Sequence, residues 1–205
     1  LPLIALQYHE VKLTIKFATT SVMGAGSLTS ATVYADYVYL DTDERRRFAQ
    51  SSHEYLIEQV QQSTETAVSG TNKFRLNFNH PVKELIWAAG NSTSTDAGWV
   101  TYTAVTGDQK LVLNGHDRFS ARSAAYFNFV QPYQHHSGCP RDNVNVYSFA
   151  LNPEKHQPSG TCNFSRIDNA ILEVTTTNTD PFNIYAHNYN VLRIMSGMGG
   201  LAYSN

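Results

Sequence analysis

Charge, cysteine and long apolar runs are all scarce in this 205-residue sequence. Only 16% of the residues are charged and the net charge is −2, so the basic surface typical of nucleic-acid-binding proteins is missing and no direct nucleic-acid binding is expected. Two cysteines are too few for a disulfide scaffold and favour a reduced, intracellular chain. No apolar run has membrane-spanning length, and no signal peptide is recognisable. Because the first residue is Leu1, we expect a processed product or a piece of a longer polypeptide.

Aromatic residues, in contrast, are abundant, with 12 tyrosines and 10 phenylalanines, and this composition favours β-strands. Alternating or apolar segments predict strands over residues 10–17, 32–40, 54–61, 73–78, 82–88, 145–151, 167–175 and 182–194. Asp41 as a cap, with Glu44 three residues later, predicts one short helix over 42–50. We expect an extended arm over 196–200.

Eight strands without strand–helix alternation predict an all-β fold. With long connecting loops, the best fit is an eight-stranded antiparallel jelly-roll sandwich carrying one short helix. No linker or internal repeat divides the chain, so the prediction is a single domain over residues 1–205.

The residues that could carry chemistry do not form a recognisable site. His135, His136 and His156, with Cys139 and Cys162, have irregular spacing and lack the close pairs of a zinc site. No nucleophile elbow, phosphate-binding glycine loop or glycosidase-like acid pair stands out. We therefore predict a protein that is not an enzyme and has no catalytic residue, metal or cofactor.

Two alternative functions remain open at this stage. A carbohydrate-binding jelly-roll module would use exposed rings such as Trp87 and Trp99. A cupin-like metalloenzyme would use His135, His136 and His156 as ligands.

The segment 153–170 predicts a rigid corner that leads into a strand. Pro158 suits the second position of a tight turn and Gly160 its end. Arg166 and Asp168 would lie on the same face of the strand, so we expect an ion pair between them and partial burial of Arg166.

Two short motifs match the acceptor pattern for N-linked glycosylation. Asn91 begins one of them, in a segment expected to be a loop, and is a candidate for sugar attachment. Asn163 begins the other, inside the corner, where we expect its side chain to bind backbone groups of the turn.

Several segments together resemble the major capsid proteins of nucleocytoplasmic large double-stranded DNA viruses, in the style of algal viruses and iridoviruses. The matching segments are DTDERRRF (41–48), HEYLIEQ (53–59), QPYQHHS (131–137), HQPSGTCNFSRID (156–168) and NYNVLRIMSGMGGLAYSN (188–205).

The resemblance implies a double jelly-roll protein of which this chain is the carboxyl-terminal half. It also implies a structural role in the virion: a homotrimer, the pseudo-hexagonal capsomer, that tiles an icosahedral capsid. Its partners would be neighbouring capsomers and minor capsid and penton proteins, with an internal membrane nearby and assembly in the host cytoplasm.

A shell protein needs anchors that fit a neighbouring subunit, and aromatic and arginine side chains are enriched at such interfaces. One segment carries these residue types at high density, and we predict that much of it is buried against a partner. The candidate interface residues are Arg118, Phe119, Arg122, Tyr126, Phe127, Phe129 and Tyr133.

Overall fold

The structure is a computed structural model that describes residues 1–17, 29–94, 100–140 and 143–203. Strands dominate the described residues. They are β1 (His53–Thr66), β2 (Gly70–Arg75), β3 (Pro81–Ser94), β4 (Val100–Thr103), β5 (Asp108–Leu113), β6 (His116–Asp117), β7 (Arg122–Ser123), β8 (Asn145–Ser148), β9 (Cys162–Asn163), β10 (Ala170–Thr176), β11 (Pro181–Met195) and β12 (Met198–Leu201). The helices are α1 (Thr42–Gln50), α2 (Gln131–His135), a π-helix (Tyr126–Val130) and 3-10 turns at Leu3–Ala5 and Phe164–Arg166.

The strands form two antiparallel sheets, as the predicted jelly-roll fold requires. One sheet has the order β1-β11-β3-β4, with β12 paired to β11 and with β8 and β9 paired to β3. The other has the order β2-β10-β5-β6, with β7 paired to β5. The chain divides into two compact units, residues 58–190 and residues 1–57 with 191–204.

In the unit 58–190 the two sheets face each other across one apolar core. Phe74 on β2 stacks on Phe182 of β11, with ring centroids 4.9 Å apart. Trp87 on β3 donates from Nε1 to Oε1 of Gln109 on β5 over 2.6 Å. Buried and less buried residues alternate along β10 and along the first half of β11. This alternation is how a sequence of period two places its apolar face in a sandwich core.

Two glycines lie at positions of this unit where a side chain would be strained or would clash. Asn114 and Gly115 both have positive φ and connect β5 to β6 in a tight turn. Gly107 lies against β10, where a Cβ would stand 2.3 Å from the carbonyl oxygen of Thr175. A side chain at that position would push the β5 end away from β10.

The unit formed by residues 1–57 and 191–204 contains the predicted helix. Its cap is as expected, because Asp41 Oδ1 accepts a hydrogen bond from the backbone N–H of Glu44 over 2.9 Å. The predicted extended arm is wrong for residues 198–200. After a turn in which Ser196 and Gly197 have positive φ, these residues enter β12 and pair with the end of β11.

The strands predicted over 10–17 and 32–40 are also wrong. Both segments have no regular secondary structure and form no ladder among the described residues, and nearly all of their side chains are exposed. An alternating pattern specifies which face would be buried, but a strand exists only when a neighbouring strand supplies its hydrogen bonds.

The segment after β3, predicted as a long loop, contains regular structure. It includes β4 to β7, the π-helix and α2. No helix in the described part of the chain is long and apolar enough to cross a bilayer.

Candidate subunit interface and charge cluster

The predicted interface residues lie in the β6–β7 connection, on β7, on the π-helix and on α2, and the structure divides them into two groups. Phe127 is fully buried and packs on Trp87, with ring centroids 5.3 Å apart. Its assignment to a subunit interface is therefore wrong, because it belongs to the core of its own unit. Phe119 and Tyr126 are partly buried against the same core.

The remaining candidates are exposed. Arg122 stacks its guanidinium over the Tyr126 ring, 4.6 Å from the centroid. Arg118 is exposed, and its backbone N–H donates to the carbonyl of Leu111 over 2.8 Å. Tyr133 has 82% of its surface exposed.

An exposed apolar patch emerges beside these residues. Phe129 and Tyr133 are four residues apart along the π-helix and α2, and Val130 lies between them. All three side chains are exposed. We call these three residues, Phe129, Val130 and Tyr133, the aromatic patch. Val130 was not predicted, since an aliphatic side chain is not one of the aromatic and arginine anchors on which the prediction was based.

Buried hydrogen bonds fix the helices that carry the aromatic patch. Gln131 donates to the Tyr126 hydroxyl over 2.9 Å and accepts from the backbone N–H of Ser148 on β8 over 3.1 Å. The patch therefore lies on a supported framework, as a surface that must match another surface requires.

The predicted corner is partly confirmed. Gly160 has a φ of +148°, and a Cβ there would lie 2.9 Å from the Phe149 carbonyl oxygen, so a glycine is needed. Asn163 Oδ1 accepts from the backbone N–H of Ser165 over 3.1 Å, as expected for a side chain that satisfies the turn. Pro158 is exposed in the same loop.

The ion pair expected between Arg166 and Asp168 is wrong. Residues 164–166 form a 3-10 turn instead of a strand, so the two side chains do not share a strand face. Both residues are exposed, and among the described residues neither has an ionic partner within 4.0 Å.

The histidines considered as metal ligands do not converge on a metal site. His135 contacts a backbone carbonyl, whereas His136 and His156 contact glutamates. Within the described ranges, no three His, Cys, Asp or Glu side chains have the geometry to hold a metal ion. Cys139 and Cys162 are free thiols.

These histidines contribute to a charge cluster that sequence reasoning missed. Lys83 is 1% exposed and its Nζ lies 3.0 Å from Oε1 of Glu58, whose side chain is 28% exposed. His187 contacts both Glu58 and Glu84. The available signal was the adjacent pair Lys83-Glu84 inside an otherwise apolar predicted strand, because buried charges occur only when they are paired.

Glu58 carries the net charge that balances Lys83. Its partial burial acts to raise the pKa of its carboxyl, but hydrogen bonding and charge attraction from Lys83, with smaller contributions from His156 and His187, lower that pKa below 4.5.

Acid should therefore remove stability through Glu58. Because its pKa is lower in the folded chain than in the unfolded chain, its contribution is complete above about pH 4.5 and is lost as the pH falls through the folded value. At pH values below 4.5, we expect the urea midpoint to decrease with falling pH less steeply in Glu58→Gln than in the unmodified chain. Equal acid slopes in the two proteins would contradict this assignment.

The remaining candidates are the two tryptophans and the two possible glycosylation sites. Trp87 is buried, so it cannot serve as an exposed sugar-binding ring, and Trp99 lies outside the described residues. Asn91 lies on β3 and not in the expected loop, and Asn163 is exposed. Glycosylation at either residue stays a prediction.

Known protein families include two whose members resemble this chain in sequence. Residues 44–200 match the family described as large eukaryotic DNA virus major capsid protein, and residues 1–41 match the major capsid protein N-terminus. The chain belongs to the major capsid proteins of large eukaryotic DNA viruses. The resemblance expected from its sequence motifs is thus confirmed.

Individual relatives agree with this family assignment. The whole chain aligns with 57% of the major capsid protein of Pyramimonas orientalis virus, and the two sequences are 53% identical over this alignment. The whole chain also aligns with 63% of the major capsid protein of Paramecium bursaria Chlorella virus 1, and these two sequences are 44% identical. It therefore spans about three fifths of the length of these curated relatives. Proteins of this family are structural and are not enzymes, as the sequence predicted.

A solved capsid structure supports the fold. The PBCV-1 virus capsid, as a quasi-atomic model, matches with a TM-score of 0.71 at 41% identity, covering 82% of this chain and 56% of that chain. The two-sheet sandwich of this major capsid protein is thus the jelly roll found in its structural relatives.

Proposed function

We propose that this chain is a structural subunit of an icosahedral viral capsid. The observation that carries the proposal is the family match over residues 44–200, which includes both sheets and the aromatic patch. A stiff sandwich with an exposed, well-supported apolar surface suits a shell building block. The described residues offer no cluster that could hold a metal, and the buried Trp87 removes support from the carbohydrate-binding alternative.

The finer assembly follows the family pattern. Three copies form a pseudo-hexagonal homotrimer, the capsomer, which contacts neighbouring capsomers and minor capsid and penton proteins above an internal membrane. The protein resides in the virion after assembly in the host cytoplasm. The chain, residues 1–205, is then the carboxyl-terminal jelly-roll half of a double jelly-roll protein.

The aromatic patch is the surface that best fits a contact between copies. Exposed apolar side chains that cluster together cost free energy in water and are typical of interaction sites. Arg118, Arg122 and Tyr126 precede it in the chain, and Arg122 stacks on Tyr126, so this segment supplies the arginine and aromatic anchors that interfaces favour. A stable contact buries on the order of 800 Å² on each partner, so these residues would form only its centre.

A charge placed in the aromatic patch should block capsomer assembly. We expect Tyr133→Asp to reduce the trimer fraction of the full-length protein at least tenfold, because an unpaired carboxylate would be buried at the contact. Size-exclusion chromatography with light scattering measures the trimer fraction, and circular dichroism verifies folding.

Val68→Asp is the matched control, since Val68 is also an exposed apolar residue but lies in the β1–β2 connection. The control variant should form trimers normally. A Tyr133→Asp protein that is folded and fully trimeric would remove the aromatic patch from the assembly contact.

A further inference from the structure

The charge cluster contains one histidine that lies between two carboxylates. His187 on β11 places Nε2 2.9 Å from Oε2 of Glu58 on β1 and Nδ1 3.1 Å from Oε1 of Glu84 on β3. Glu58 and His187 have 28% and 25% of their side-chain surface exposed, and Glu84 only 6%. The imidazole therefore bridges three neighbouring strands of one sheet at a partly exposed position.

The protonation state of His187 follows from this geometry. A neutral imidazole has one N–H and one lone pair, whereas the imidazolium ion has two N–H donors. With a neutral ring, one nitrogen lone pair would face a carboxylate oxygen at 2.9 or 3.1 Å, which is repulsive. Two hydrogen bonds to two carboxylates form only when the ring is doubly protonated and charged.

His136 extends the same arrangement toward the loop after β8. Its Nε2 lies 2.9 Å from Oε2 of Glu84, and its Nδ1 lies 3.4 Å from Oε1 of Glu154. Glu154 in turn accepts from the backbone N–H and the hydroxyl of Ser137, both over 3.0 Å. His136, at the end of α2, thus lies between the carboxylates of Glu84 on β3 and Glu154 in the loop after β8.

A β-bulge brings the cluster's lysine into position. His187 pairs with Glu84, but the next residue of β11, Asn188, pairs with Val82, so Lys83 is the extra residue on β3. Bulges turn a side chain away from the regular alternation. Here the Lys83 ammonium meets Glu58 and lies 4.9 Å from the centroid of the Tyr189 ring.

Charge balance agrees with a doubly protonated His187 ring. Lys83 and His187 then supply two positive charges against two from Glu58 and Glu84. The charged and titratable groups that face the cluster from every element are Glu58 (β1), Lys83 and Glu84 (β3), His136 (after α2), Glu154, Lys155 and His156 (after β8), and His187 and Tyr189 (β11).

We propose that His187, with Glu58 and Glu84, forms a pH-sensitive clamp that holds β1, β11 and β3 together while the ring carries two protons. Loss of one of these protons leaves a nitrogen lone pair against a carboxylate oxygen. The clamp then weakens, and with it the attachment of the β1 strand. Because the two carboxylates meet the ring only in the folded chain, losing that proton costs stability, which therefore falls as the pH rises.

The test compares urea unfolding of the full chain between pH 6 and pH 8.5 with that of His187→Gln. Where the folded state holds one extra proton, the unfolding equilibrium constant rises up to about tenfold per pH unit. We expect this rise in the unmodified chain and in His116→Gln, a control at an exposed histidine on β6. His187→Gln should be nearly insensitive to pH over the same range.

A second measurement reports directly on the protonation of the His187 ring and needs no variant. Long-range nitrogen–proton NMR spectra of the folded chain at pH 6.5 should show both His187 nitrogens in the protonated range. A spectrum with one protonated and one unprotonated nitrogen would overturn the proposal, as would equal pH dependence of the unmodified chain and His187→Gln.

Discussion

Trp87→Ala is expected to reduce the free energy of unfolding by about 3–5 kcal/mol, the usual cost of removing a large buried aromatic side chain. Trp87 is 1% exposed and packs on Phe127 in the core between the sheets. Its removal would leave a cavity and would also leave the buried Oε1 of Gln109 without its donor. Urea denaturation followed by circular dichroism measures this loss.

Two companion variants separate the causes of that loss. Trp87→Phe keeps most of the packing but removes the Nε1 donor, so it should cost less than Trp87→Ala. Tyr133→Ala removes an aromatic ring that is 82% exposed, and its effect on unfolding should remain within about 0.5 kcal/mol. If Trp87→Ala cost no more than Tyr133→Ala, the sandwich core described above would be wrong.

Glu58→Ala is the second substitution with a large expected effect, about 2–3 kcal/mol. It leaves the ammonium of Lys83 buried without its carboxylate. A fully buried pair that loses one partner costs roughly 3–5 kcal/mol, and the value here is smaller because the Glu58 side chain keeps 28% of its exposure. Denaturation at pH 7 measures the effect.

The double variant Glu58→Ala with Lys83→Met provides the control. Replacing both members of a buried pair by apolar groups is often nearly neutral, so the double variant should recover much of the stability lost in Glu58→Ala. A double-mutant cycle then isolates the coupling between the two residues. Additive losses, with no recovery, would show that Lys83 does not depend on Glu58.

The sequence patterns predicted most of the sandwich, because strands buried on one face leave a signature of period two. The segment 182–194 is an example, since it falls almost entirely on β11. The helix over 42–50 was equally predictable from the sequence, because its cap is a local interaction between Asp41 and Glu44. Where pairing depends on distant residues, as for 10–17 and 32–40, the pattern was present but the strand was not.

The candidate sites were less predictable than the fold. Aromatic density in the sequence pointed to the segment 118–133, but burial separates Phe127 from Tyr133, and only the packing of the π-helix and α2 decides which ring faces outward. The charge cluster joins residues from β1, β3 and β11 through a bulge at Lys83. Neither strand pairing nor a bulge can be read from a single sequence, so His187 gave no signal.

Native mass spectrometry of the full-length protein at micromolar concentration tests the central claim most directly. A structural capsid subunit should give a dominant species with three times the mass of one chain, and Tyr133→Asp should shift it toward single chains. A protein that stays strictly monomeric at high concentration would contradict the proposal that this chain builds a trimeric capsomer.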